Sequence, residues 1–328
     1  MPAPKKSATR ARRAPRASET LPPGALRVAI LSRNARLYST RRLVEAAQQL
    51  GFASRVLDTL RCNMVVARDA PRLLYGGRDL AATDLHVVIP RIGASITGYG
   101  LAVVEQLEMM GVPALNGAQA IAWSRDKLRC LQLLARSGLR IPRTVMARDA
   151  SNVTRLVDEV GGLPAIVKLV RGTQGVGVML ASTIPELQGI LDTFQGLGQE
   201  IVLQELVAES RGRDIRALVV GGRVVGAMRR RAKRGEFRSN LHRGGRGRPV
   251  TLAPPYVEAA LRATAVVGLE VAGVDLLETE DGPTLLEVNS SPGFEGLERA
   301  TGLDAAGAIV DRALALVRPR HAVTRRAL

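Results

Sequence analysis

Three oxygen-bearing side chains near the end of the chain carry the most specific chemistry. The stretch Ala272-Gly-Val-Asp275-Leu-Leu-Glu-Thr-Glu-Asp-Gly-Pro-Thr-Leu-Leu-Glu287-Val-Asn289 reads as two apolar-rich strands joined at the turn Glu280-Asp281-Gly282. Folding the chain there places Asp275 across from Glu287. Glu287 and Asn289 are two apart on one strand, so their side chains leave the same face. Two carboxylates facing each other across a hairpin repel. A hard divalent cation removes that conflict, and two carboxylates with an amide oxygen suit Mg²⁺, which completes its shell with water and phosphate oxygens. The competing reading, two solvated acids on an outer face, fits poorly with strongly apolar neighbours.

A second group of residues suits phosphate. Ile166-Val-Lys168 is a short apolar strand, followed by Gly172-Thr-Gln-Gly175-Val-Gly177. A glycine-rich turn lets backbone N–H groups approach phosphate oxygens, with Lys168 as a point charge beside them. It lacks the Gly-Lys-Ser/Thr ending of a Walker loop, and it joins two strands rather than opening a helix. Lys127, at the start of a helix, could point at the same phosphates or be an ordinary surface lysine. Arg238-Ser239-Asn240, flanked by further basic residues and Gly244-Gly245, could hold a transferring phosphoryl group or be a solvated loop.

These residues need a frame. Leu26 to Leu31, Ser54 to Leu57 and His86 to Pro90 read as strands, with helices at Arg41 to Leu50 and Tyr99 to Met110 and a short strand at Val112 to Leu115. The alternation predicts a parallel-sheet α/β domain over 26–120. Ser124 reads as the N-cap of a helix running to Ser137. Beyond it, hairpins (165–180, 215–228, 271–288) mix with helices at 184–194, 255–267 and 305–317. This predicts an α+β domain over 121–317, in lobes of about 121–204 and 205–317. Residues 1–25 and 318–328 read as basic tails.

Composition bounds the partners. The 328 residues carry a formal net charge of +17 and 46% hydrophobic residues. The charge points to an acidic partner, and aromatics at 3% give few platforms for stacking on bases. Cys62, Cys130, His86, His242 and His321 are not at zinc-ligand spacing. No apolar run is long enough to span a bilayer, and the basic start lacks an apolar signal segment, so a cytoplasmic protein with no membrane contact is predicted.

The chain resembles the RimK family of ATP-grasp α-L-glutamate ligases. The matching stretches run in order from Val28-Ala-Ile-Leu-Ser-Arg33 through Ile89-Pro-Arg-Ile-Gly93, Arg125-Asp-Lys-Leu128, Val167-Lys-Leu-Val170 with Gly172-Thr-Gln-Gly175, Asp214-Ile-Arg216, Arg230-Arg-Ala-Lys233, Phe237 to Gly245, Ala272-Gly-Val-Asp275 and Glu287-Val-Asn289. The resemblance implies a Rossmann-like pre-ATP-grasp domain followed by a two-lobed ATP-grasp domain. It implies that Lys127, Lys168 and Gly175 meet ATP phosphates, Glu205 and Leu206 the adenine, and Asp214 the ribose. Arg238, Ser239 and Asn240 would lie at the triphosphate and the reacting carboxyl, with Arg238 and Asn240 catalytic. Asp275, Glu287 and Asn289 would hold two Mg²⁺ or Mn²⁺ ions. The implied reaction adds L-glutamate to the acidic C-terminal tail of a small-subunit ribosomal protein through an acyl phosphate, in a homotetramer.

Two features depart from the family pattern, Leu206 and the basic tail. Many relatives carry an aromatic at the position of Leu206. The basic tail has no counterpart, though it could touch ribosomal RNA. The run Arg229-Arg-Arg-Ala-Lys-Arg234 is read as an attractor for an acidic acceptor, with Arg230 and Lys233 tuning acceptor affinity. Competing readings are a sister ligase making polyglutamate or acting on another acidic carrier or small molecule, and an RNA-binding protein that has lost catalysis.

Overall fold

The computed structural model describes residues 26–149, 151–170, 177–239 and 244–317. The two expected basic tails, Gly175 and Asn240 lie outside them.

The N-terminal domain is wound around β1 (Arg27–Leu31), whose apolar side chains are buried on both faces. It is followed by α1 (Tyr38–Gln49), β2 (Ala53–Leu57), β3 (Cys62–Val65), β4 (Arg72–Tyr75), β5 (Arg78–Leu80), β6 (Val87–Pro90) and α2 (Thr97–Met109). The parallel sheet has the order β2-β1-β6, as the alternation of strand and helix predicts. The small meander β3-β4-β5 is not among the expected elements, because its strands are three or four residues long and mix polar with apolar positions. The strand expected at 112–115 contributes a single bridge, from Ala114 to Val88.

Two short helices, α3 (Ala118–Arg125) and α4 (Lys127–Arg136), connect the domains. One helix capped by Ser124 was expected. Instead Asp126 breaks the run with an extended backbone, and its carboxylate accepts from the Arg129 N–H at 3.0 Å. That places Lys127 in the first turn of a new helix. Ser124 sits inside α3, where its hydroxyl accepts from the Ser290 N–H at 3.0 Å.

The smaller lobe comprises β7 (Thr144–Ala147), α5 (Val153–Glu159), β8 (Ala165–Leu169), β9 (Val178–Ala181), α6 (Ile184–Gly196) and β10 (Ile201–Glu205). Its sheet is antiparallel in the order β7-β10-β8-β9, and α5 and α6 cover it through Val153, Val157, Leu187 and Leu191. The larger lobe holds β11 (Arg213–Val220), β12 (Arg223–Arg231), β13 (Arg246–Pro249), α7 (Pro254–Val267), β14 (Val271–Thr279), β15 (Gly282–Asn289), α8 (Glu295–Thr301) and α9 (Ala305–Ala315). Its five strands lie in the order β13-β12-β11-β14-β15.

This larger sheet has two unlike faces. Ile215, Ala217, Val219, Val274, Leu276, Leu285 and Val288 pack with Ala260, Ala263 and Val267 of α7. The other face packs at one end through Leu218, Val220 and Met228 against α9 and the N-terminal sheet, joining the domains in one core. The rest of that face carries the charged residues described next. Among the described residues no helix is long and apolar enough to cross a membrane.

Candidate active site

Strand periodicity assembles the site. Along β11, Ile215 and Ala217 turn to α7, so Asp214 and Arg216 turn the opposite way. Pairing sets Asp214 beside Arg230 of β12, Arg216 beside Asp275 of β14, and Asp275 beside Glu287 of β15. A charged band thus crosses four strands on one face. Glu287 is exposed and Asn289 half-buried, on the same side of β15.

The convergence of Asp275 and Glu287 depends on an irregularity. From the turn outward the pairs are Thr279 with Gly282, Leu277 with Thr284 and Leu276 with Leu285, and the register then shifts so that Asp275 meets Glu287. Uninterrupted pairing would have set Asp275 against Leu286. The extra residue also brings Leu285 and Val288, three apart, into the same apolar cluster.

Asp275 and Asp214 are each 3% exposed and Arg230 is 5% exposed. Arg230 donates through Nε to Asp214 Oδ1 at 2.7 Å and through Nη2 to the second oxygen of Asp214, and also reaches Asp275 Oδ2 at 2.8 Å. Arg216 grips both oxygens of Asp275, with Nη2 to Oδ2 at 2.6 Å. Two arginines and two aspartates thus form a neutral quartet, buried except for the half-buried Arg216. Burial alone would push the Asp275 carboxyl up; the guanidinium groups of Arg216 and Arg230 outweigh it and hold the group below its ordinary value.

Arg230 is therefore a structural partner of the site aspartates, correcting its expected role as an acceptor attractor. Arg229, Arg231, Lys233 and Arg234 are the exposed members of that run. Asp214, expected at a ribose, has both oxygens engaged by Arg230.

These residues fit a divalent cation. Among the described residues no three His, Cys, Asp or Glu side chains cluster, so the oxygen set is two carboxylates and the Asn289 amide. An ionised carboxylate offers about four lone-pair sites. Three guanidinium contacts occupy Asp275, leaving room for a cation, while Glu287 and Asn289 reach less buried space.

Two lysines face this band. Lys168, at the end of β8, donates to Gln204 Oε1, and Gln204 is fixed in turn by donating to Thr144 Oγ1 at 2.8 Å. Burial pushes the Lys168 ammonium down to about 8, with Glu287 opposing the shift and Lys127 adding to it. Lys127 Nζ donates to the Leu169 carbonyl at 2.8 Å, and burial lowers it too against the pull of Glu287. The structure thus brings Lys127, Lys168 and Glu287 within mutual electrostatic reach.

Glu205 and Leu206 lie where β10 ends. The Glu205 carboxylate accepts from the Arg143 N–H at 3.0 Å, and its own N–H donates to the Arg143 carbonyl at 2.9 Å. Arg238 donates from Nε and Nη2 to Glu236 at 2.9 and 2.8 Å, and from Nη1 to the Val178 carbonyl at 3.2 Å. It therefore ties the loop of the larger lobe to β9 of the smaller. The paired Arg238 guanidinium holds the Glu236 carboxyl down at about 2. Ser239 is buried beside it.

Sequence reasoning missed several supports. Arg216, two residues after Asp214, had a signal in the strand period. Gln204 and Glu236 had none. Asn116 is fully enclosed, donating to the Val271 and Ser290 carbonyls at 2.8 and 2.9 Å and accepting from the Glu270 and Val271 N–H groups. It fastens the N-terminal domain to the chain just past Asn289.

Comparison with known proteins agrees with this architecture. Residues 26–121 match the RimK PreATP-grasp domain model and 124–313 the RimK-like ATP-grasp domain model. A protein of Thioalkalivibrio sulfidiphilus named probable alpha-L-glutamate ligase is 51% identical over 300 residues, covering 92% of this chain and 99% of its own. One of the same name from Ectopseudomonas mendocina is 52% identical over 285 residues, covering 87% and 94%. Among solved structures, the ATP-grasp ligase PsnB complexed with a minimal precursor superposes with a TM-score of 0.70 at 23% identity, over 89% of this chain and 99% of that one. A RimK domain protein from Sphaerobacter thermophilus gives 0.65 at 22%, over 88% and 99%. With the charged band, the paired lysines and both family domains in place, the chain belongs to the RimK family of ATP-grasp α-L-glutamate ligases, and it is a carboxylate–amine ligase.

Proposed function

We propose that this enzyme joins L-glutamate to the acidic C-terminal tail of a small-subunit ribosomal protein, using ATP and Mg²⁺ and passing through an acyl phosphate. The observation that carries the reading is the convergence of Asp275, Glu287 and Asn289 with Lys127 and Lys168, in a chain half identical to proteins named probable alpha-L-glutamate ligase. A carboxylate acylates poorly because its leaving group is oxide. Phosphoryl transfer from ATP activates it, a step that needs positioned charge more than a covalent nucleophile.

In this reading Lys127, Lys168 and Gly175 bind the phosphates, with Gln204 aiming Lys168. Glu205 and Leu206 border the adenine, and Asp214 lies toward the ribose, where it is shared with Arg230. Asp275, Glu287 and Asn289 hold Mg²⁺ or Mn²⁺, as two ions, which when bound would neutralise phosphate charge. Arg238, Ser239 and Asn240 meet the reacting carboxyl. The glutamate amine then attacks the acyl carbon, phosphate leaves, and Arg238 stabilises the oxyanion that develops. The glycine-rich stretch 172–177, of which all but Gly177 lies outside the described residues, is proposed as the lid that keeps water from the acyl phosphate. A cytoplasmic homotetramer whose basic tail touches ribosomal RNA completes the proposal.

The test is the intact mass of the acceptor after incubation with enzyme, ATP, Mg²⁺ and glutamate. A ladder spaced by glutamyl residues, absent without ATP, supports the reading. Glutamate-dependent ADP release with no change in this acceptor moves the chemistry to another acceptor. Neither signal would remove the ligase assignment for this chain.

A further inference from the structure

Two arginines beside the charged band have no carboxylate within 4.0 Å among the described residues. Arg91 follows β6, and Arg125 ends α3, two residues before Lys127. Among the described residues the Arg91 side chain hydrogen-bonds only through Nη2, to Ser39 Oγ at 3.2 Å and to the Pro292 carbonyl at 2.8 Å. Arg125 donates through Nη2 to the Ile92 carbonyl, and its Nε is buried with no partner among the described residues. A guanidinium has five donors, so both groups keep unused ones.

The segment from Ser290 to Pro292 lies between them. Its start is held by the Ser290 N–H on Ser124, the neighbour of Arg125, and its end by the Pro292 carbonyl on Arg91. The hydroxyls of Ser290 and Ser291 are buried and have no partner among the described residues, and Ser290 is 4% exposed. This segment begins directly after Asn289. Buried unpaired donors around two like charges are costly unless an anion satisfies them. Nearby Lys127 and Lys168 add further positive charge.

We propose that Arg91, Arg125 and Ser291 form a pocket for a non-reacting carboxylate of a substrate. The carboxylate comes either from the incoming glutamate or from the acceptor's terminal residue. The planar fork of arginine matches a carboxylate edge, and the serine hydroxyl adds a donor. The pocket sits on the N-terminal-domain side of the cation-binding residues, so it would turn an amino acid toward the activated carboxyl. This rests on the glutamate-ligase reading.

The experiment titrates the full-length protein, loaded with Mg²⁺ and a non-hydrolysable ATP analogue, with L-glutamate and separately with the dipeptide Glu-Glu as acceptor mimic. Arg91→Gln, Arg125→Gln and Ser291→Ala are compared with wild type, and Arg125→Lys serves as the variant least disturbing to the fold. The arginine variants are expected to weaken one carboxylate probe by about tenfold or more, the value of a charge-assisted hydrogen bond. Binding of the ATP analogue should stay unchanged. Loss confined to glutamate identifies the incoming amino acid, and loss confined to the dipeptide identifies the acceptor. In wild type, replacing the held carboxylate by its amide, with L-glutamine or L-isoglutamine, should cost a similar factor, and the arginine variants should lose that discrimination. Wild-type affinity in all variants, or equal weakening of the nucleotide, overturns the pocket. If wild type builds the glutamyl ladder while the variants bind normally, the pocket alone fails; if wild type neither binds glutamate nor builds the ladder, both readings fail.

Discussion

Asp275 faces Glu287 across β14 and β15 because the strand pair slips by one residue at Leu286. The slip keeps Leu285 and Val288 in the apolar cluster under α7 while Glu287 and Asn289 turn to the site. The two carboxylates then differ in surroundings: Asp275 is enclosed by arginines, and Glu287 is exposed.

That difference separates stability from activity. Glu287→Gln removes an exposed, solvent-screened carboxylate that supports Lys168 and Lys127, so it should cost no more than about 1 kcal/mol of unfolding free energy while abolishing ATP-dependent ligation. Asp275→Asn should also abolish ligation, but by leaving Arg216 and Arg230 short of a buried counter-charge it should cost about 3–5 kcal/mol. Urea denaturation of the metal-free protein reads both. Equal stability losses would refute the buried quartet.

Arg230 and Lys233 should behave as opposites. Arg230→Gln removes a buried partner of two aspartates, so a stability loss of about 3–5 kcal/mol is expected. Lys233→Gln acts on an exposed charge. It should leave the melting temperature nearly unchanged and raise KM for an acidic acceptor, the more so at low salt.

Lys168 gives the pH dependence. Its folded value of about 8 lies below the ordinary 10.5, so the free enzyme loses the ammonium as pH rises through about 8. The kcat/KM for ATP should fall along that limb, and Lys168→Gln should lower the rate and flatten it. For stability the sign is reversed. Between about 8 and 10.5 the unfolded chain holds the proton and the folded one does not, so Lys168 contributes a rise in stability with pH across that window.

Gly273 pairs with Asn289 and leaves no room above it. A Cβ there would lie 2.7 Å from Pro292 Cβ and 3.3 Å from Arg216 Nη1. Gly273→Ala should cost about 1–3 kcal/mol as the neighbours shift. It should also reduce activity more than Gly293→Ala, where a Cβ meets nothing within 4 Å. Rate measurements on the two variants at saturating ATP make the comparison.

Local pattern in the sequence was enough for the alternating N-terminal domain, the hairpin carrying Asp275, Glu287 and Asn289, and Lys168 at the end of its strand. Each follows from a period of two or 3.6 residues and a nearby turn signal, information that lies within a few residues. The candidate oxygen ligands Asp275, Glu287 and Asn289 also carry their chemistry in their types. Tertiary structure decided the rest. It slipped the register at Leu286, and it turned Arg230 from a surface charge into the partner of Asp214 and Asp275. It also used Gln204 to aim Lys168 and set Arg91 and Arg125 around the segment after Asn289. Each depends on residues far apart in the chain meeting in a low-dielectric interior, where a charge must find its partner across strands, and no local periodicity encodes that meeting.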